Sequence, residues 1–227
     1  MSDDSLFREV DEAIRQEQLK SLWDKYGLWL IVGAILIIAV VGGHNAWTYW
    51  SAEQAKSAGG RFIGGIVEAE DGQTADAINV FKSLSEDGPG GYGDLSRLQL
   101  AALYSSQGKT AEAIRIYDTI AESSGTETAL KHFATIQAAS LMLDEASFED
   151  MRKRLDDLAV TGNPWRHSAR ELLGLSAYRN GESDASRRYF DVMLSDQQTP
   201  ANMRRRADIM LSLLVQRSGE PSDSEKK

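Results

Sequence analysis

Between Leu28 and Val41 no position carries a charged or strongly polar side chain. A soluble helix would return a polar position every turn, so the stretch GLWLIVGAILIIAVVGG, Gly27–Gly43, predicts a membrane span. Counted from Tyr26 to Trp47 the segment has 22 residues. As a helix that is about 33 Å, against a hydrocarbon core of about 30 Å. Tyr26 and Trp29 mark one edge and Trp47, Tyr49 and Trp50 the other, as aromatic rings do at membrane interfaces. The competing readings are a buried core helix and a cleaved signal peptide. Bulky Trp47, Tyr49 and Trp50 stand where a signal peptidase needs small residues, which favours an uncleaved signal anchor over 26–50.

Ahead of the span, Phe7, Val10, Ile14 and Leu22 recur at helical steps interrupted by one polar gap, predicting a short amphipathic helix within 1–25. After it the pattern is helical to the end, with no period-two alternation that would mark a strand. Glycine and proline punctuation falls between helical segments: Gly72, Gly88-Pro89-Gly90-Gly91, Gly108, Gly125, Gly162-Asn163-Pro164, Gly181 and Pro200. Helices are expected near 52–70, 74–86, 93–107, 110–123, 127–143, 147–160, 165–179, 183–196 and 200–216. The polar tail 218–227 is expected to be disordered.

These helices repeat. Gly72-Gln-Thr-Ala-Asp-Ala77-Ile-Asn-Val-Phe81 aligns with Gly108-Lys-Thr-Ala-Glu-Ala113-Ile-Arg-Ile-Tyr117, and the spacing returns from Gly181 through Ser186 to Phe190. Gly108 follows Gly72 by 36 positions and precedes Gly181 by 73, about twice that. The unit between, around 127–160, lacks the glycine. Upstream, Gly65, Leu100-Ala101 and Leu173-Gly174 hold matching places. Paired helices at a period near 34 indicate tetratricopeptide-like stacking. The glycine turns the backbone, the alanine lets the helix axes approach, and the aromatic fills the groove to the next unit. The fold expected is therefore all-α: a single N-terminal transmembrane helix, then a tetratricopeptide-like α-solenoid over 51–217. An unrelated helical bundle is the alternative.

Charge sets the orientation and removes whole classes of function. The net charge of the 227 residues is −9, with four basic and seven acidic residues up to Lys25, and 21 and 27 from Ser51 onward. Neither part has the basic excess that phosphate backbones demand, so no nucleic-acid partner is expected. Arg8, Arg15, Lys20 and Lys25 precede the span, and only Lys56 and Arg61 follow it closely. By the positive-inside rule the N-terminus is cytoplasmic and the long domain lies outside. No cysteine is present, which excludes disulfides, thiolate metal sites and thiol nucleophiles. His44, His132 and His167 have no partner spacing for a metal and read as surface or capping residues. No nucleophile-elbow, Walker or dinucleotide motif occurs. Asp156 and Asp157 are adjacent, so they diverge on a helix and make no acid/base couple. Gly60-Arg-Phe-Ile-Gly64 reads as close packing at the start of the solenoid rather than as a dimerisation face in the membrane. Arg152-Lys153-Arg154, Arg187-Arg188 and Arg204-Arg205-Arg206 read as solvated faces balanced by nearby acids, with partner docking as the alternative. No catalytic, cofactor or metal site is expected, and the chain is expected not to be an enzyme.

A further set of residues carries a resemblance. Val10-Asp-Glu and Trp23-Asp-Lys-Tyr-Gly27 stand before the span and Tyr49-Trp50 after it. Tyr92-Gly93 and Leu98-Gln-Leu-Ala-Ala102 open the second repeat, and Leu172-Leu-Gly174 and Thr199-Pro200 follow late. In this order they resemble the bacterial YfgM-like family, whose founding member is an ancillary subunit of the SecYEG translocon. The resemblance implies an inner-membrane protein whose periplasmic repeats associate with the Sec translocon and a membrane-anchored periplasmic chaperone, assisting exported proteins. A scaffold for cell-envelope or division assemblies is the alternative. A solenoid leaves a concave wall lined by the first helix of each repeat. By repeat position that wall holds Phe62, Ile66, Leu98, Ala102, Glu171, Leu175, Tyr178 and Arg179, and core packing is the competing role of its apolar members.

Overall fold

A computed structural model of the chain describes residues 3–219. They form α1 (Asp3–Glu70), α2 (Thr74–Asp87), α3 (Tyr92–Ser106), α4 (Thr110–Glu122), α5 (Thr128–Met142), α6 (Phe148–Leu155), α7 (Arg166–Arg179), α8 (Ser183–Ser195) and α9 (Ala201–Gly219). A 3₁₀ turn, Asp156–Leu158, follows α6. No strand occurs among the described residues. The fold is the all-helical one expected, with two differences in how it is cut. The short N-terminal helix, the apolar stretch and the first repeat helix are one element. No proline interrupts 5–70, and each glycine costs only about 0.5–1 kcal/mol in a helix. The helix expected over 147–160 ends at Leu155 and tightens into the 3₁₀ turn. Of the polar tail, residues 220–227 lie outside those described.

The chain divides into two compact units, Met1–Lys56 and Ser57–Lys227. In the first, the described side chains from Leu28 to Trp50 are exposed except for half-buried Gly33, so this stretch is no core helix. By length and composition α1 is able to cross a membrane.

In the second unit the helices stack in sequence. Each packs on the next from α2 to α9, and α7 also touches α5 and α9. The core accordingly runs as a chain of local clusters. Ala77, Phe81 and Leu100 form one, and Ala101, Ala113, Tyr117, Ile120, Ala134 and Ala138 the next. Met151, Leu155, Leu158, Leu172 and Leu173 belong to a third, and Phe190, Met193, Ala207 and Leu214 close the series. Such nearest-neighbour burial is what a solenoid does.

The repeat chemistry is visible at each turn. Gly72, Gly108 and Gly181 have φ of 79°, 74° and 83°, the left-handed region that a Cβ disfavours. Nine residues after each stands Phe81, Tyr117 or Phe190, all buried. Phe190 lies so close to Gly174 that a Cβ there would sit 2.8 Å from the ring, and at Gly65 the corresponding distance to Phe81 is 3.0 Å. The second unit has Ala101 in that place, packed in one cluster with Tyr117. The degenerate third unit turns at Ala146, whose N–H donates to Met142 O at 2.9 Å. Met151 and Leu155 then take the places of Ala113 and Tyr117, both fully buried. With the glycine gone, Ser147 caps α6 by accepting from Asp150 N at 3.1 Å.

Candidate interaction site

The eight residues expected to line one wall make different contacts, most of them half-buried. Phe62 and Ile66 pack against Ala77, Phe81 and Leu100, and the Phe62 ring meets Phe81 at 5.5 Å and Tyr92 at 5.8 Å. Leu98 is half-buried against the second cluster. Leu175 and Tyr178 pack on the cluster that includes α9, and Glu171 accepts from the Arg206 guanidinium of α9 at two oxygens. Arg217 donates to Tyr178 O at 3.0 Å and lies over its ring at 5.2 Å. Arg179 reaches back and donates to the carbonyls of Asp144 and Ala146. Ala102 alone of the eight is apolar, exposed and set in an open groove. The close-packed glycines at the start of the solenoid are likewise Gly59 and Gly65, facing Tyr92 and Phe81. Gly60 and Gly64 have open space at the Cβ position, so the GxxxG pair does not make the contact its spacing suggests.

A polar cluster invisible to the repeat analysis fastens α7 to the α8–α9 connection. Arg166 Nε donates to Asp196 Oδ2 at 2.9 Å and Arg170 Nη1 to the same oxygen at 3.3 Å. Arg170 Nε also donates to Ala159 O at 2.8 Å, tying in the end of the third unit. Both arginines are buried, so each needs this carboxylate and the carbonyls around it. The Arg166 hydrogen bond, and then the Gln198 N–H, lower the Asp196 carboxyl from its ordinary 3.8 to about 2. His167, read from sequence as a surface or capping residue, is instead buried, with Thr199 Oγ1 3.1 Å from its Nδ1. Burial, and then the charge of Arg166, push its pKa below the usual 6.5. The other basic runs are mostly spent locally: Arg154 pairs with Asp118, Arg152 with Glu149 and Asp156, and Arg206 with Glu171. Among the described residues no three His, Cys, Asp or Glu side chains are grouped to hold a metal.

Open grooves lie between helices of the described residues. The one beside Ala102 runs between α3 and α5 over Tyr117, with a volume of about 270 Å³. A larger one of about 530 Å³ lies between α8 and α9, with Arg204, Arg205 and Asp208 in its walls. The arrangement is that of a stacked repeat with side-chain-lined clefts, and a model of tetratricopeptide repeat-like domains matches residues 20–212. The chain belongs to the tetratricopeptide repeat-like domain family. The match takes in both the apolar part of α1 and the stacked helices. The ancillary SecYEG translocon subunit of Escherichia coli (strain K12) is a distant relative. It is 23% identical over 189 residues, covering 82% of this chain and 88% of the relative. The resemblance to the YfgM-like family read from scattered motifs therefore holds over most of the chain.

Proposed function

We propose that this chain is a single-pass inner-membrane protein whose repeats, outside the cytoplasm, associate with the Sec translocon, a membrane-anchored periplasmic chaperone and exported proteins, and catalyse nothing. The observation that carries the reading is the extent of the likeness. One relative, itself named an ancillary translocon subunit, aligns over 82% of the chain, and the family match includes the apolar stretch together with the repeats. The uninterrupted apolar run from Leu28 to Val41 supports the span. The basic residues Arg8, Arg15, Lys20 and Lys25 support a cytoplasmic N-terminus. A repeat domain whose clefts are lined by side chains, with no metal-binding group among the described residues, suits binding better than catalysis.

Purification of the intact protein in mild detergent, with mass spectrometry of what accompanies it, tests the proposal. Translocon and chaperone subunits are expected. Recovery of division or cell-wall proteins in their place would replace this reading with that of an envelope scaffold. A reporter active only outside the cytoplasm, fused after Gln216, is expected to be active; silence there would overturn the orientation.

A further inference from the structure

We propose that α1 pairs with the same helix of a second copy of this chain, through the face that carries Gly60, Ile63, Gly64 and Val67. The proposal rests on the reading that the apolar stretch anchors the chain in a membrane, and it adds what two anchored copies do to each other.

The argument begins with a GxxxG spacing that the fold leaves unused. Elsewhere around these turns α1 is covered. Phe62, Ile66 and Ala69 pack on the cluster of Phe81 and Leu100. Gly59 and Gly65 are closed off by Tyr92 and Phe81, and Arg61 donates to Ser83 Oγ at 2.8 Å. Gly60, Ile63, Gly64 and Val67 recur at three- and four-residue steps, so they share the one face that remains. Nothing lies within 4 Å of where a Cβ would stand on Gly60 or Gly64, while Ile63 is 60% and Val67 49% exposed. Arg61 is the only charged residue from Gly60 to Val67, and its guanidinium is turned to α2. On α9, Ile209 and Leu213 are also exposed, but there Arg205 and Gln216 share the face. The face on α1 is apolar throughout.

Its shape selects the occupant. Ordinary side chains keep helix axes about 8–10 Å apart, and a closer approach needs small residues on both helices. A second copy meets that condition by identity. In a two-fold pair Gly60 and Gly64 of one copy face Gly60 and Gly64 of the other, with Ile63 and Val67 packed beside them. The anchor sets the direction. Every copy enters the membrane from the same side, and Gly60 follows Trp50 by only ten positions with no proline between them. Two copies therefore run parallel with the same residues side by side. The area points the same way. Four residues, two of them glycine, bury far less than the roughly 800 Å² per partner of a stable interface between free proteins. Copies confined to one membrane meet at a raised effective concentration, and a patch this small then suffices.

The chain contains no cysteine, so single substitutions report contacts in membranes that hold the full-length protein. Under mild oxidation Ile63→Cys and Val67→Cys are expected to form disulfide-linked dimers. They should do so about tenfold faster than Lys82→Cys and Lys109→Cys, at exposed positions on α2 and at the turn before α4. Gly64→Leu, placed where a side chain has open space within the fold, is expected to slow cross-linking of the Val67→Cys variant about fivefold, with the melting temperature unchanged. Equal rates at all four positions, a rate indifferent to Gly64→Leu, or linkage of the Ile63→Cys variant to a different protein, identified by mass spectrometry, would each overturn the pairing. Alkaline carbonate applied to the same membranes tests the anchor by itself. Release of the protein would strike the anchoring reading, whereas absence of dimers with the protein retained would strike only the pairing.

Discussion

Gly108 shows what a single backbone angle commits a repeat to. Its φ of 74° lets the chain reverse between α3 and α4, and Lys109 N then donates to Tyr104 O at 2.9 Å. A branched side chain there is strained by about 1–3 kcal/mol. Gly108→Val is therefore expected to melt well below Lys109→Ala in thermal scans of the full-length protein, and coincident melts would refute the strained turn. Gly174 is constrained by space instead. Its φ is helical, but a Cβ would sit 2.8 Å from Phe190 Cζ in a fully packed junction. Overpacking of this kind costs about 1–3 kcal/mol, so Gly174→Ala should lower the melting temperature even though alanine is the better helix former. An unchanged or higher melting temperature would mean that the ring has room to withdraw.

At the scale of elements, α9 is held through the connection that precedes it, and that attachment depends on pH. Asp196 has a folded pKa of about 2, below its ordinary 3.8. Its stabilisation is complete above the ordinary value and is lost as pH falls from there through about 2. His167 is also lowered in the fold, so on acidification the unfolded chain takes up the proton first, and stability declines as pH drops below 6.5. Urea unfolding of the full-length protein at pH 7.5, 5.5 and 3 is expected to show both limbs. His167→Gln should flatten the upper one and Asp196→Asn the lower; slopes unchanged by either substitution would remove the cluster from the account. None of this is legible in the sequence. The turn glycines are, because they recur at a fixed period. Arg166, Arg170 and Asp196 come together across 30 and 26 positions with no period linking them, and nothing in His167 alone tells a buried imidazole from a surface one. The contacts made by residues of the expected wall are hidden from the sequence for a related reason. Repeat position tells which helix a residue sits on, but not that α9 folds over Glu171, Leu175 and Tyr178.

For the whole molecule, the consequence of the proposed anchor is concentration. No proline-rich or Gly/Ser-rich linker separates Trp50 from Ser57, and a domain tethered to a membrane meets membrane-embedded partners at a high effective concentration. Weak contacts then suffice. A fragment of residues 51–227 released into the periplasm is expected to fold and yet to recover translocon components poorly beside the anchored protein; equal recovery would separate binding from anchoring. Anchoring is not the only respect in which position along the chain matters. The third turn has no glycine, and its carbonyls at Asp144 and Ala146 are satisfied by the guanidinium of Arg179, which a ribosome adds 33 residues after Ala146. The third turn closes on itself through the Ala146 N–H and the Ser147 cap, and the tie from Arg179 is added when the next repeat is made.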